Sequence, residues 1–332
     1  MKIGIYSNGL NYSYDDLKRL WSTADRSGFD IGVIPDNSTN GLRGYSLQPN
    51  WDAWTMLPAL AEVTDTMRLG PICSPVLRRP PQVLAKMSSC FDVMSEGRLV
   101  LGMGASDYPQ FWLPWGMDFP TAKVRIARLA EEIQVVKRMW TEDRANFDGE
   151  YYRLMDAINM PKPVQDPRPP IWLGVVEGRR LMPDVVARHA DGIAMVSHND
   201  EDLNERLDDL TAACSRNGRD YDEITKVQLV YVTLTDDASY TYRDGIARHG
   251  AEMQLGAQVT QRYIEAADTG SYRIVGTTEL VNEVLAKLQR RGINQILVHF
   301  SSTEAPIGGA VDAVIEDVEV FAREVIPNFE EA

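Results

Sequence analysis

Residues 68–107 read RLGPICSPVLRRPPQVLAKMSSCFDVMSEGRLVLGMGASD and contain the clearest succession of secondary-structure patterns in the chain. A short apolar run from Met67 to Cys73 predicts a buried strand, and apolar residues at helical spacing over Pro81–Met94 predict a helix. A second apolar run, Leu99 to Met103, predicts another strand. The order strand, helix, strand predicts one β-α-β unit whose two strands are parallel.

The second of these strands ends in a loop of small residues, Gly102-Met103-Gly104-Ala105-Ser106-Asp107. Backbone N–H groups in such a loop can approach a phosphate closely, and the Ser106 hydroxyl adds another hydrogen-bonding group. The alternative interpretation is a plain tight turn between a strand and a helix. A dinucleotide-binding fingerprint does not fit, because Asp107 stands where the third glycine or alanine would be.

The alternation of strand and helix continues along the whole chain of 332 residues. Eight such units close into a parallel (β/α)8 barrel, the TIM-barrel fold, and a doubly wound open sheet is the rival. We expect an α/β TIM barrel over residues 1–332 as one domain, with insertions at about 141–170 and 236–275, the first of them carrying a hairpin. The predicted strands end near Tyr6, Pro35, Cys73, Met103, Val175, Met195, Leu234 and Phe300.

Composition narrows the classes of function. The net charge of -14 argues against a nucleic-acid or anionic-membrane surface, because both need clustered Lys and Arg. The three cysteines, Cys73, Cys90 and Cys214, form no C-x-x-C pair, which is typical of a reducing compartment and predicts no metal site. The sequence shows neither a signal-peptide pattern nor an apolar run long enough to span a membrane. We expect a cytoplasmic protein that binds neither membrane nor nucleic acid.

Polar residues at the predicted strand ends are the candidate site residues, since ligands of TIM barrels bind at that face. Asp36 and Asn37 follow the second strand and could hydrogen-bond a ligand or cap a turn. Asp107 could act as an acid or base, or could cap a helix. The segment Ile72-Cys73-Ser74-Pro75 could hold a strained peptide or be an ordinary strand stopped by proline. The loop Gly174-Val175-Val176-Glu177-Gly178 could form a second backbone wall.

In this order the motifs resemble the luciferase-like flavin and deazaflavin oxidoreductases, almost from end to end. Within that family, NFDGEYYRL and the spacing from Trp54 to Asp107 are most similar to the branch that uses coenzyme F420, an 8-hydroxy-5-deazaflavin. The matching stretches are WTMLPALAEVTDTMRLG (54–70), LGPICSPVLRRPP (69–81), LAKMSSCFDVMSEGRLVLGMGASD (84–107), RLAEEIQVVKRMW (128–140), FDGEYYRL (147–154), PPIWLG (169–174) and ARHADG (187–192).

The resemblance implies roles for individual residues. It implies a non-proline cis peptide at Ile72-Cys73 behind the central ring of the cofactor, and ring contacts from Asp36. It also implies that Asp107 occupies the place of a carboxylate acid, and we take Asn37 as the second candidate for the catalytic site. The same comparison implies that Gly104, Ala105 and Ser106 bind the cofactor's phosphate. Our further cofactor-binding candidates are Ser74 and the wall residues Val175, Val176 and Gly178, although many relatives have paired glycines in this loop.

The function implied is hydride transfer between reduced F420 and a small organic substrate, by a homodimer without a metal. A luciferase-like monooxygenase that uses FMN is the first alternative, and a non-catalytic flavin-binding barrel is the second. Two departures argue against a sugar-phosphate substrate. Asn37 stands where the sugar-phosphate dehydrogenase branch has a catalytic histidine, and Asn199 stands where that branch has a phosphate-binding lysine.

Overall fold

The computed structural model describes residues 1–7, 12–37, 50–106, 108–176, 178–252, 260–261, 272–304 and 310–329. The predicted acid Asp107 therefore lies outside the described residues. The strands are β1 (Lys2–Tyr6), β2 (Ile31–Ile34), β3 (Arg68–Pro71), β4 (Ser74–Pro75), β5 (Leu101–Gly104), β6 (Ala145–Asp148), β7 (Arg153–Ala157), β8 (Ile171–Val175), β9 (Gly192–Met195), β10 (Thr225–Leu234), β11 (Tyr272–Gly276) and β12 (Gln295–Phe300).

Helices follow most of these strands, as the alternation predicts. The helix after β2 begins at Ala53, because the side chain of Asp52 accepts a hydrogen bond from the Thr55 backbone N–H and caps the helix. The helices are α1 (Tyr14–Arg26), α2 (Ala53–Ala61), α3 (Pro81–Met94), α4 (Ala122–Thr141), α5 (Met182–His189), α6 (Asp200–Asn217), α7 (Tyr242–Glu252), α8 (Thr278–Arg290) and α9 (Val311–Glu324).

The parallel strands confirm the predicted TIM barrel. They pair in the order β3-β2-β1-β12-β10-β9-β8-β5. A parallel bridge between Leu69 of β3 and Leu99, just before β5, joins the two ends of this series. The Leu69 N–H donates to the Arg98 carbonyl at 2.8 Å, and the Val100 N–H donates to the Leu69 carbonyl at 2.9 Å. The sheet is thereby closed into a barrel.

Side chains alternate along each strand between the barrel interior and the helix layer. The interior holds a buried apolar cluster that includes Val33, Trp172, Leu229 and Leu297. A larger cluster fills the space between the strands and the surrounding helices. The interior cluster forms the floor under the C-terminal ends of the strands, where the candidate site residues were predicted.

The two insertions differ in how well the sequence predicted them. Strands β6 and β7 pair antiparallel, which confirms the hairpin around the Asp148-Gly149 turn. Strand β11 begins within the segment 236–275 that we predicted as an insertion, and it pairs parallel with β10. The sequence YRIVG contains no long apolar run, because most of its side chains are only partly buried. None of the described helices is long and apolar enough to cross a membrane.

Candidate active site

A cavity of ≈ 270 Å³ opens at the C-terminal ends of the barrel strands. Its inner part is lined by apolar side chains of the barrel interior, among them Val227, Leu229 and Leu297. Its outer part is lined by Ala105 and Ser106 of the small-residue loop. The cavity therefore joins an apolar slot to a polar loop. Of the predicted site residues, it brings together Asn37, Ile72, Cys73, Gly104, Ala105, Ser106, Val175, Val176 and Gly178.

The Ile72–Cys73 peptide bond is cis, as the family resemblance implied. Both residues line the cavity. The Ile72 N–H donates to the carbonyl of Ile34 at 2.9 Å, which ties the segment to the neighbouring strand β2. A Cβ atom placed on Gly174 would lie 2.3 Å from the Cys73 sulfur, so that position requires glycine for β8 to approach Cys73.

The small-residue loop has an unused hydrogen-bonding group. Ser106 adopts a left-handed backbone conformation with φ 64. Its hydroxyl oxygen is buried, and no partner for it is found among the described residues. A buried hydroxyl without a partner is unfavourable unless a ligand or water supplies the missing bond. Ser106 thus fits the role of a phosphate-binding residue.

Arg125 of α4 is a site residue that the sequence analysis missed. Its side chain is 8% exposed and lines the cavity. The guanidinium Nε donates to the carbonyls of Ala105 at 3.0 Å and Ser106 at 3.2 Å, and Nη1 donates to Pro120 at 2.6 Å. Arg125 therefore holds the small-residue loop and brings a positive charge to the same end of the cavity. The sequence signal that could have identified Arg125 is its position among the apolar residues on the buried face of α4.

The opposite wall of the cavity is formed by the loop after β8. Arg206 of α6, which is 7% exposed, donates to the carbonyls of Val175 at 3.2 Å and Val176 at 2.8 Å. Asp202 holds this guanidinium at 2.9 Å. Gly178, with φ 89, completes the wall. The backbone wall predicted at Val175, Val176 and Gly178 is therefore present, and a buried arginine fixes it.

Asp36 and Ser74 have a different environment from the predicted one. The described residues that line the cavity include Pro35 and Asn37 but neither Asp36 nor Ser74. The fully buried Asp36 carboxylate accepts hydrogen bonds from Arg79 at 2.5 Å and from the Ser74 hydroxyl at 3.0 Å. The geometry therefore gives Asp36 and Ser74 a supporting position behind the site and does not support direct contact with a ring.

Two arginines and two aspartates form this supporting cluster. Arg78 and Arg79 both lie within ion-pair distance of Asp36 and of Asp52, the cap of α2. Burial raises the pKa of the Asp36 carboxyl, and the adjacent Arg79 and Arg78 offset part of that increase. The Trp54 indole N–H donates to the Ser74 hydroxyl at 2.8 Å. The cluster thereby links β2, α2 and the segment after the cis peptide.

Asn37 and Asn199 have different environments. Asn37 lines the cavity, and its backbone carbonyl accepts from the Asn50 side chain at 2.9 Å. An amide has no proton to give at neutral pH, so Asn37 can orient a substrate but cannot act as an acid. Asn199 caps α6, where its side chain accepts from the Asp202 N–H at 2.9 Å. That capping role leaves Asn199 unsuited to binding an anion.

Among the described residues, no group of three His, Cys, Asp or Glu side chains is placed to hold a metal ion. His299 of β12 lies in the barrel interior beside Tyr231 and Tyr6, with ring centroids 5.0 and 5.8 Å away. Burial lowers the pKa of His299 to about 4, so this imidazole is neutral at pH 7.

Curated proteins similar to this chain include two kinds of cofactor users. An F420-dependent glucose-6-phosphate dehydrogenase of Segniliparus rotundus is 25% identical over 349 residues, which covers 99% of this chain and 98% of that protein. An FMNH2-dependent dimethylsulfone monooxygenase of Pseudomonas putida is 23% identical, over 96% of this chain and 88% of that protein.

A structural and a family comparison agree with the fold. The structure of an F420-dependent secondary alcohol dehydrogenase with an F420-acetone adduct superimposes with a TM-score of 0.81, at 17% identity and over 99% of both chains. The family model for luciferase-like monooxygenases matches residues 1–324. The chain belongs to the luciferase-like monooxygenase family.

Proposed function

We propose that this protein is an F420-dependent oxidoreductase that transfers a hydride between the reduced deazaflavin and a small organic substrate. The observation that carries the proposal is the cavity, which joins an apolar slot in the barrel to the small-residue loop at Ser106. A planar ring fits the apolar slot, and a phosphate on its side chain fits the loop. When bound, F420 supplies the hydride from C5 of its ring.

Particular residues would hold the two parts of the cofactor. Ile72 and Cys73 would lie against the ring, opposite the apolar side chains of the barrel interior. The backbone of Gly104 and Ala105, the Ser106 hydroxyl and the Arg125 guanidinium would bind the phosphate. The buried Ser106 oxygen, which has no hydrogen-bond partner within the described ranges, supports this placement, because a phosphate would supply that partner.

The preference for F420 over FMN rests on the similarity of sequences. Two relatives that are each 25% identical and span 99% and 90% of this chain are F420-dependent glucose-6-phosphate dehydrogenases. The stretch FDGEYYRL at 147–154 points in the same direction. The FMN-dependent relative keeps a monooxygenase as the second candidate function.

The choice of cofactor separates these two functions. A deazaflavin has a carbon in place of flavin N5 and reacts poorly with oxygen. We therefore expect reduced F420 to be oxidised by a panel of ketone, imine and activated-alkene acceptors under nitrogen, with no oxygen uptake in air. Transfer of one oxygen atom from O2 to an added organic substrate in the presence of reduced FMN, together with inactivity of reduced F420 towards the panel, would establish the monooxygenase instead.

Asp107 is the proposed proton donor for reduction of the substrate. Hydride transfer to a carbonyl leaves negative charge on the oxygen, and a positioned acid accelerates such steps by about 10² to 10⁴-fold. We expect Asp107→Asn to bind F420 normally while kcat falls by about 10². Loss of F420 binding in a fluorescence titration would identify a structural cap, and an unchanged kcat would exclude Asp107 as the donor.

The assembly and the location of the enzyme are also proposals. We propose a homodimer that acts in the cytoplasm. The support for a dimer is the exposed apolar surface, which includes Val83 and Met94 of α3 and Met155 of the hairpin. Sedimentation analysis would measure the assembly directly.

A further inference from the structure

Three neighbouring strands place a row of large side chains at one level of the barrel interior. Tyr231 of β10 is paired in register with Arg273 of β11 on one side and with His299 of β12 on the other. The Tyr231 side chain packs against the interior cluster, and the His299 ring lies 5.0 Å from it. The Arg273 guanidinium carbon lies 4.7 Å from the centre of the Tyr231 ring.

This row lies directly above the proposed cofactor cavity. Leu229 and Leu297 line the cavity, and Tyr231 and His299 are the next residues on the same faces of β10 and β12. Tyr6 lines the cavity as well, and its ring lies 5.8 Å from that of His299. A substrate that faces the cofactor ring from the open end of the barrel would therefore meet this row.

Arg273 is a positive charge without a counterion in this row. Its Nε and Nη1 atoms are buried and have no hydrogen-bond partner among the described residues. Its neighbours are the rings of Tyr242, at 3.6 Å, and Tyr231, which offer cation-π contact but no negative charge. His299 is neutral because burial lowers its pKa to about 4. Leaving two guanidinium nitrogens buried without acceptors is unfavourable, so the arrangement favours a ligand that supplies them.

Two hydroxyl groups, one on β10 and one just after β12, also lack partners in the part of the chain that the structure describes. The Thr233 and Ser301 oxygens are buried and without a hydrogen-bond partner among the described residues. Thr233 follows Tyr231 by two positions on β10, and Ser301 follows His299 by two positions along the chain, so alternation points both towards the same side of the sheet. A guanidinium and two hydroxyls are donors that suit an oxyanion.

We propose that Arg273, with Thr233 and Ser301, binds an oxyanion group of the substrate, a carboxylate or a phosphate. That this oxyanion belongs to a substrate rests on the proposed function. Asn199, which stands where a branch of the family has a phosphate-binding lysine, is not included in this site, because its side chain caps α6. The net charge of -14 makes nonspecific binding of anions by the rest of the surface weak.

The test uses acetate and inorganic phosphate as probes, each titrated by calorimetry into the full-length protein loaded with F420. We expect at least one of them to bind, and its dissociation constant to rise at least tenfold in Arg273→Gln. Arg290→Gln, a change of an exposed arginine on α8, should leave that constant within twofold. The ion whose affinity falls in Arg273→Gln shows whether the oxyanion group of the substrate is a carboxylate or a phosphate.

Further variants guard against a folding defect in Arg273→Gln. Arg273→Lys keeps the charge and should lose less affinity for the ion than the Gln variant. Thr233→Val removes one hydroxyl at nearly constant volume and should weaken ion binding about threefold, a change worth under 1 kcal/mol. Equal ion affinity in all variants, or no binding by the wild type, would overturn the proposal. Failure of F420 to bind the wild type would instead refute the proposed function, and the same titrations without F420 would then test the anion site.

Discussion

An Asp36→Ala variant is expected to lose about 3 kcal/mol of unfolding free energy, because two largely buried guanidinium groups lose a shared carboxylate. The Asp36 carboxylate is fully buried, while the side chains of Arg79 and Arg78 are 15% and 13% exposed. Asp52 remains a partner for both arginines in this variant. The expected loss of unfolding free energy is therefore at the lower end of the range that is usual for breaking a buried ion pair. Urea denaturation followed by tryptophan fluorescence measures it.

The matched control is Asp148→Ala in the β6–β7 hairpin. Asp148 also pairs with an arginine, Arg153, but the two side chains are 75% and 68% exposed. Exposed pairs contribute about 0 to 1 kcal/mol, so the control should change the unfolding free energy by less than that. Equal losses of unfolding free energy in the two variants would mean that the supporting cluster around Asp36 does not stabilise the barrel through its buried charges.

An Arg125→Met variant is expected to bind F420 at least about 10²-fold more weakly, equivalent to about 2.7 kcal/mol. The guanidinium holds the carbonyls of Ala105, Ser106 and Pro120, and its removal frees the loop proposed to bind the phosphate. The variant also loses the positive charge at that end of the cavity. Charge-assisted bonds to a phosphate are among the stronger polar contacts in proteins. F420 fluorescence titration measures the loss.

Arg138→Met serves as the control, because Arg138 lies on the same helix α4 but is 45% exposed and pairs with Glu142. Its affinity for F420 should stay within twofold of the wild type. Wild-type affinity in Arg125→Met would show that the phosphate lies elsewhere. The unfolding free energy of both variants must be measured alongside, so that a loss of fold is not taken for a loss of binding.

The barrel was predictable because its signal repeats along the chain. Each strand of the barrel is buried on both faces, so it appears in the sequence as a continuous apolar run such as Leu99–Met103. Strand β11 was missed because YRIVG is only partly buried and carries Arg273 towards the interior. A charged side chain inside a short strand interrupts the pattern by which strands are found.

The candidate site was predictable where the backbone forms it. The small-residue loop at Ser106 and the wall at Val175 and Val176 follow from strand ends and glycine positions. The supporting arginines Arg125 and Arg206 were missed, because the backbone carbonyls of the cavity loops that they hold lie 19 to 31 positions away in the sequence. Asp36 was predicted to contact the ligand because its partner Arg79 lies 43 positions further along the chain. The sequence alone does not show that these two side chains pair.

A parallel titration of the purified protein with F420 and FMN, each oxidised and reduced, would show directly which cofactor the protein prefers. Both molecules carry a phosphate, so the Ser106 loop alone would not distinguish them. We predict that F420 binds at least tenfold more tightly than FMN, a difference of about 1.4 kcal/mol that arises from contacts beyond the phosphate. Equal affinities, or tighter binding of FMN, would contradict the proposed deazaflavin chemistry and favour the monooxygenase.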